Sequence, residues 1–237
     1  MTKRAVYCAV LFVALAGASL QAGTLVLGQP GATGNCDPFG CPAFFGLGTY
    51  QQVYASTAFP GAIDIDDLTF YQALVLDNGG KPGGGTYTLS LSYTSDAPGD
   101  LDLTGGPNAN IEAGTEEAFF TGTLPALTAD GTTNLLTFAG TPFAYDPADG
   151  NLLLTVTLSG ATNSTPYLYL DQSGSTLVTS DAYFGVANGG NEPGLVTGFD
   201  YTTTTGIVTP EPGSLLLVLA GIGLIAYQGR RVISKRS

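Results

Sequence analysis

The sequence has no histidine and no tryptophan among its 237 residues, and only one methionine. Without histidine, the chain cannot form a Ser-His-Asp or Cys-His catalytic arrangement, nor the common histidine-ligated zinc sites of hydrolases. Without tryptophan, it lacks the largest aromatic ring for stacking on a sugar. We therefore expect a protein that is not an enzyme. A pair of carboxylates remains the one simple catalytic route, because glycoside hydrolysis needs only two acids at a suitable separation.

Basic residues are scarce in the middle of the chain. Of the seven lysines and arginines, two lie near the start and four lie beyond residue 229, which leaves Lys81 alone between them. The stretch from Gly23 to Thr209 holds eighteen of the nineteen acidic residues, so with its one lysine its formal charge is −17. A field of that sign repels nucleic acid and anionic lipid, and it favours solubility and cation binding. We therefore expect no nucleic-acid partner.

The first 22 residues have the layout of a secretory signal peptide. Lys3 and Arg4 precede an apolar run from Ala5 to Ala16, and small residues follow up to Ala18 and Ala22. Cleavage is expected after Ala22 or, as a second choice, after Ala18. The mature protein is then exported, which places its cysteines in an oxidising compartment.

Export changes how the three cysteines are interpreted. Cys8 leaves with the signal peptide, so the mature chain keeps Cys36 and Cys41, separated by Asp-Pro-Phe-Gly. Two neighbouring cysteines outside the cytoplasm favour a local disulfide. A zinc site is the alternative, weakened by the lack of histidine and of a second cysteine pair. A redox-active pair has less support, because the spacing is not Cys-x-x-Cys.

The end of the sequence has three parts. Residues Pro210 to Ser214 form a stiff, extended peptide, because each proline fixes φ and removes a backbone donor. An apolar run of 13 residues follows from Leu215 to Tyr227. It is shorter than the roughly 20 residues that cross a bilayer comfortably, so it predicts a hydrophobic helix that is a short or transient span. The basic tail behind it stays cytoplasmic by the positive-inside rule: Arg230, Arg231, Lys235 and Arg236.

This combination resembles the PEP-CTERM sorting signal of Gram-negative exported proteins, also known as the ice-binding protein C-terminal motif. The residues that carry the resemblance are Pro210, Glu211, Pro212, Gly213, Arg230 and Arg231. The resemblance implies recognition by an exosortase-type membrane transpeptidase near Pro210 to Pro212. It also implies transit through the inner membrane and periplasm to the cell surface or extracellular matrix, with a link to exopolysaccharide or biofilm. An ordinary tail anchor is the alternative, and a buried C-terminal helix has less support because the run from Leu215 to Tyr227 is apolar all round and not amphipathic.

Between these two ends, the sequence predicts an all-β domain. From Thr86 to Tyr93, tyrosine and leucine alternate with hydroxyl residues, and the pattern returns from Leu152 to Ser159 with Leu153 as the one apolar exception. Strict alternation indicates a sheet with one buried face and one wet face. Around ten short strands between Gly, Pro, Asn and Asp clusters favour a jelly-roll-like β-sandwich. Less regular strand candidates are Thr24–Leu27, Tyr50–Tyr54, Leu68–Leu76, Ala118–Leu124, Leu135–Phe138, Tyr167–Leu170, Tyr183–Val186 and Val196–Thr203.

One acidic turn is the candidate metal site. Asp146, Asp149 and Asn151 occur together in the sequence Asp-Pro-Ala-Asp-Gly-Asn. Clustered oxygen ligands on turns suit Ca²⁺, and extracellular modules work with weak sites of roughly millimolar affinity. The spacing does not match an EF-hand, and solvated turn residues are the alternative. No other cofactor is predicted.

We therefore predict a signal peptide at residues 1–22, a β-sandwich domain at 23–206, and a linker, sorting signal, short transmembrane segment and basic tail at 207–237. The predicted function is an exported surface or matrix protein associated with exopolysaccharide. A carbohydrate- or other ligand-binding module is the alternative, and a carboxylate-based glycoside hydrolase has less support. Candidate contact residues for a ligand are Tyr50, Tyr54, Tyr71, Tyr167 and Tyr169, with an ice-like threonine surface at Thr202–Thr205 as a further option.

Overall fold

Short antiparallel strands account for most of the described chain. The computed structural model describes residues 21–42, 48–73, 79–185 and 188–203, without the side chains of 30–32. Two 3₁₀ turns, Ser56–Ala58 and Pro107–Asn110, lie between strands. The strands are β1 (Ala22–Leu27), β2 (Pro30–Asn35), β3 (Thr49–Tyr54), β4 (Ile63–Tyr71), β5 (Gly84–Thr94), β6 (Glu117–Gly122), β7 (Thr128–Ala129), β8 (Asn134–Tyr145), β9 (Asn151–Thr162), β10 (Leu170–Ser173), β11 (Thr179–Phe184), β12 (Gly189–Pro193) and β13 (Thr197–Thr203).

The strands form two packed sheets in jelly-roll order. One sheet runs β1-β13-β4-β8-β7 and the other β12-β11-β3-β9-β5-β6, while β2 and β10 form a separate pair. Let β1, β3, β4, β5, β6, β8, β9 and β13 be numbered from one to eight along the chain. In this numbering the strand order is 1-8-3-6 in the first sheet and 2-7-4-5 in the second. Consecutive strands lie in opposite sheets, except for strands four and five, which both lie in the second sheet. This alternation between the two sheets is the connectivity of a jelly roll, and it confirms the predicted all-β sandwich.

The two alternating segments predicted from the sequence are neighbouring interior strands of the larger sheet. β5 and β9 pair from Gly84 opposite Thr162 to Thr94 opposite Asn151. The tyrosine and leucine face of β5 points into the core between the sheets, where it meets the apolar face of β9. The residues of these two faces that are fully buried are Tyr87, Leu89, Leu91, Leu152, Leu154 and Val156.

The opposite face of this pair differs from the expected wet surface. Leu153, the apolar exception, packs with Val53 and Phe184 in a second apolar cluster, which the long β5–β6 connection covers with Leu101. A hydrogen bond also holds the β5–β6 connection against the sheet, because Asn110 Nδ2 donates to Gln51 Oε1 of β3 at 2.9 Å. The centre of this sheet is therefore buried on both faces.

Several strand limits differ from the sequence prediction. β4 begins at Ile63 rather than Leu68, and β11 ends at Phe184 where a strand at Tyr183–Val186 was expected. A β-bulge at Asp66 breaks the regular alternation at the start of β4, because Ile65 and Asp67 pair with the consecutive residues 201 and 200. β2 and β12 were not predicted, since their sequences are rich in glycine and proline.

Phe39 lies at the centre of the core although it belongs to no strand. Its ring centroid is 5.0 Å from that of Phe70 and 5.2 Å from that of Phe138. The Cys36–Cys41 disulfide closes the loop that carries Phe39, which confirms the predicted pairing. Gly40 passes so close to the Leu168 carbonyl that any side chain at this position would collide with it. The disulfide-closed loop therefore inserts the ring of Phe39 between the two sheets.

We predict that the double variant Cys36→Ser/Cys41→Ser unfolds at a lower temperature and loses about 2 kcal/mol of stability. The loss arises because the open loop gains conformational freedom in the unfolded chain. Thermal unfolding of the purified exported protein measures it. Cys8→Ser is the matched control, because Cys8 is expected to leave with the signal peptide. Equal melting temperatures for the double variant and the wild type would contradict a stabilising role for the loop closure.

Candidate functional site

The predicted sorting signal lies outside the described residues. This holds for Pro210, Glu211, Pro212, Gly213, Arg230 and Arg231, for the apolar run behind them, and for residues 1–20 of the predicted signal peptide. Within the described ranges, no helix is long and apolar enough to cross a membrane. The first and last described residues lie side by side, because Thr203 N donates to Gln21 O at 3.1 Å. Cleavage after Ala22 would remove the first residue of β1, whereas cleavage after Ala18 would leave this strand whole.

A buried glutamine forms the densest polar network in the described part of the chain. In β3, Gln52 lies on the core face between Tyr50 and Tyr54. Its Nε2 donates to Leu195 O at 2.8 Å, and its Oε1 accepts from Leu195 N at 2.9 Å, so the side chain pairs with this backbone as a neighbouring strand would. The Tyr50 hydroxyl also donates to Gln52 Oε1 at 2.6 Å. Because these polar atoms are paired, their burial is compatible with a stable core.

Two acidic residues lie beside this network. Asp181 is 2% exposed, and burial, followed by the nearby charge of Glu192, raises its pKa from 3.8 to about 8. Asp37, in the disulfide loop, is also buried, and desolvation raises its pKa to about 6. Asn35 connects the two, because its Nδ2 lies 3.3 Å from Asp181 Oδ2 and its Oδ1 accepts from Asp37 N at 2.9 Å.

The polar atoms of this cluster lie inside the protein. A general acid or nucleophile must reach the bond that it attacks. Asp181 is 2% exposed and Tyr50 0% exposed, so neither side chain lies on the surface of this structure. Sequence reasoning missed both Asp181 and Gln52. The available signal was the alternation in β3, which puts Gln52 on the same face as two core tyrosines.

The candidate ligand-contact tyrosines divide into two groups. Tyr50 and Tyr54 are fully buried, and both of their hydroxyls are hydrogen-bonded inside the core. These two are therefore structural residues, which corrects their assignment as candidate ligand contacts. Tyr71, Tyr167 and Tyr169 are half-buried and reach the surface.

The candidate calcium residues lie on the turn between β8 and β9 and at the start of β9. Asp146 Oδ1 accepts from Ala148 N at 2.9 Å, as in an Asx turn. Asn151 Oδ1 accepts from Ser56 N at 2.8 Å, and its Nδ2 donates to Asp96 O at 2.9 Å. Asn151 thus connects three segments of the chain, and Asp149 is exposed. Each bonded oxygen keeps a second lone pair for a cation.

Possible cation ligands also lie close together in a pair of aspartates and in the disulfide loop. Asp67 lies directly opposite Asp200 on β13, beside a surface cavity of about 420 Å³. Desolvation, followed by the charge of Asp200, raises the pKa of Asp67. Among the residues that the structure describes, Cys36, Asp37 and Cys41 are the one group of three cysteine or acidic ligands whose atoms lie within 4.8 Å of one another. Both sulfurs of this group are already joined in the disulfide.

We predict that Asp181→Asn flattens the dependence of stability on pH. A raised pKa in the folded state means that the folded protein holds the proton between about pH 4 and pH 8 while the unfolded chain has lost it. The contribution of Asp181 to wild-type stability should therefore be fully present below about pH 4 and be lost as the pH rises to about 8, by on the order of a few kcal/mol. Urea unfolding across this range measures it.

The control for this experiment is Asp100→Asn, which removes an exposed carboxylate. In Asp181→Asn, the titration of Asp37 should still make stability fall with rising pH, but by less and only between about pH 4 and pH 6. Parallel stability profiles for Asp181→Asn and the wild type would mean that Asp181 is not held protonated by the fold.

Comparison with known proteins bears on the end of the chain and not on the sandwich. The family described as the PEP-CTERM protein-sorting motif matches residues 208–232. No curated protein and no solved structure matches the chain. The match covers the Pro-Glu-Pro peptide, the apolar run and both arginines of the predicted signal. The chain therefore carries a PEP-CTERM sorting motif, and it is an exported protein of the kind that exosortase-type systems sort.

Proposed function

We propose that this protein is a non-catalytic component of the cell surface or extracellular matrix that associates with exopolysaccharide after sorting. The observation that carries the proposal is the sorting motif at residues 208–232, because it indicates an exported, sorted protein. The membrane holds the precursor through the apolar segment Leu215–Tyr227. The sorting enzyme then acts near Pro210 to Pro212.

The properties of the body suit that environment. Its two apolar clusters and its disulfide stabilise the fold. Its large negative charge keeps the surface hydrated and discourages self-association. The carboxylates with the most strongly raised pKa values are buried, which supports a non-catalytic role over a carboxylate-based glycoside hydrolase.

The alternative functions have unequal support. Tyr167 and Tyr169 remain at the surface, which favours a carbohydrate-binding module over the other ligand-binding options. An ice-binding surface needs a flat, regular threonine array. Thr202 instead lies between Ala22 and Asp64 in its sheet, and Thr204 and Thr205 lie outside the described residues.

We predict that Pro210→Ala/Pro212→Ala leaves the protein unprocessed in the inner membrane of a host with its own sorting enzyme. The substitution removes both prolines of the Pro-Glu-Pro peptide that the enzyme is expected to recognise. Intact mass and cell fractionation measure the outcome. Wild-type protein should lose the residues after the Pro-Glu-Pro region and appear in the surface or matrix fraction together with polysaccharide.

Val208→Ala/Thr209→Ala is the matched control, because it alters the same segment without touching a proline. An intact wild-type tail in the inner membrane would make this a plain anchored protein and remove the main support for a matrix role. Processed protein that separates completely from polysaccharide would contradict the proposed association while leaving the sorting step intact.

We also propose a weak calcium site at Asp146, Asp149 and Asn151, with no other cofactor. If Ca²⁺ binds the folded turn, millimolar Ca²⁺ should raise the melting temperature by a few degrees and excess EDTA should reverse the shift, because a ligand specific to the folded state stabilises it. Differential scanning calorimetry measures this. Asp149→Asn should abolish the response, whereas Asp100→Asn should keep it. A melting temperature that EDTA does not change would count against the site.

A further inference from the structure

Two surface tyrosines project together from a segment that is anchored in the core. Leu168 and Leu170 are fully buried, and Tyr167 and Tyr169 alternate with them and reach the surface. The ring centroids of the two tyrosines are 6.5 Å apart, with an interplanar angle of 68°. The pair therefore presents two adjoining aromatic surfaces to solvent.

The backbone beneath this pair is tightly held. Tyr169 O accepts from Ala73 N at 3.0 Å, and Pro166 O accepts from Lys81 N at 3.3 Å. Gly80 approaches the Tyr167 carbonyl so closely that a side chain there would collide with it. Positions fixed in this way lose little conformational entropy when a ligand binds.

The other tyrosines in the described part of the chain have identifiable structural roles. One group places its hydroxyls in hydrogen bonds within the protein: Tyr50, Tyr54, Tyr87, Tyr93 and Tyr145. A second group lays its rings over glycines of neighbouring strands, where the ring replaces the missing side chain: Tyr71 over Gly198, Tyr183 over Gly189 and Tyr201 over Gly23. Tyr167 and Tyr169 belong to neither group. Their hydroxyls make no hydrogen bond within the described residues, so both rings and hydroxyls are available to a ligand.

The one lysine of the body lies beside this pair. Lys81 forms a parallel backbone bridge with Tyr167, which brings the two residues next to each other. Lys81 is exposed, and it is the sole lysine or arginine in the part of the chain that the structure describes. On a body with a charge of −17, this is the surface position at which an anionic group finds a fixed positive charge.

We propose that Tyr167, Tyr169 and Lys81, here called the tyrosine–lysine patch, bind an acidic polysaccharide built of uronate sugars. A pyranose ring lies against the tyrosine rings, their hydroxyls bond to sugar hydroxyls, and the uronate carboxylate pairs with the Lys81 ammonium group. This inference rests on the proposed function and names the chemistry of its partner. A single patch binds weakly, and a chain with many uronates adds strength by engaging many copies of the protein.

The test is binding of the purified exported protein to polygalacturonate, with neutral dextran as the comparison ligand, in buffer of about 0.15 M ionic strength with EDTA, because salt at that level screens the repulsion between the acidic body and the acidic polymer while local contacts persist. Affinity electrophoresis measures the retardation by each polymer. The wild type should be retarded by polygalacturonate more than by dextran. Tyr167→Ala/Tyr169→Ala should weaken polygalacturonate binding by about tenfold or more, since loss of ring contacts worth about 1.4 kcal/mol corresponds to that factor. Lys81→Gln should weaken it while leaving the small retardation by dextran unchanged.

Tyr201→Ala is the matched control, because it removes a half-buried tyrosine opposite Ile65, at the end of β4 away from the patch, and should bind as the wild type does. If the double alanine variant melts at a lower temperature, Tyr167→Leu/Tyr169→Leu keeps apolar volume without a planar ring and should show the same loss of binding. Wild-type binding by both double variants would overturn the patch. Equal retardation by dextran and polygalacturonate, or no effect of Lys81→Gln, would overturn the uronate assignment.

Failure of this inference and failure of the proposed function have different results. If the double variant still fractionates with matrix polysaccharide in cells, the matrix role stands and the patch is overturned. If purified protein binds polygalacturonate through the patch but wild-type protein never leaves the inner membrane, the patch stands and the matrix role fails.

Discussion

The insertion of Phe39 into the core is the interaction on which much of the structure depends. Its ring fills the space between Phe70 and Phe138 in one sheet and Tyr87 in the other. The loop also supports the surface next to it: Gly40 O accepts from the Ser164 hydroxyl at 2.9 Å, and that hydroxyl accepts from Leu168 N at 3.3 Å. The disulfide, the core and the segment that carries the tyrosine–lysine patch are thus connected through a few bonds.

A second constraint is the distribution of negative charge. Desolvating a carboxylate disfavours its ionised form, so the fold keeps Asp181 protonated and hydrogen-bonded near neutral pH. At the surface, Asp67 and Asp200 face each other across two strands, which is an unfavourable pair for like charges. The Thr24 hydroxyl donates to Asp200 and offsets part of this cost. The body therefore tolerates its charge through packing and the disulfide rather than through ion pairs, since it has a single lysine to form them.

The sequence was sufficient for the fold class, because period-two alternation in β5 and β9 is a direct consequence of strand geometry. It was also sufficient for the disulfide and for the sorting motif, whose signals are local. It was not sufficient for the second apolar cluster, since the cover over Leu153 comes from Leu101, in a distant part of the chain. Asp181 was missed for the same reason: its burial depends on β2, β3 and β12, and no local pattern records those contacts.

The tyrosines illustrate why function is harder to predict than fold. In the sequence, Tyr50, Tyr54, Tyr71, Tyr167 and Tyr169 are equivalent candidates, because each is an aromatic residue with a polar tip. The fold separates them by giving most of the described tyrosines a hydrogen-bond partner or a glycine to cover. What remains is a pair with neither, next to the one cation of an acidic body. Side chains that can recognise a partner are therefore identified here as those that the fold leaves without a structural role, and that distinction requires the position of each tyrosine in the described residues.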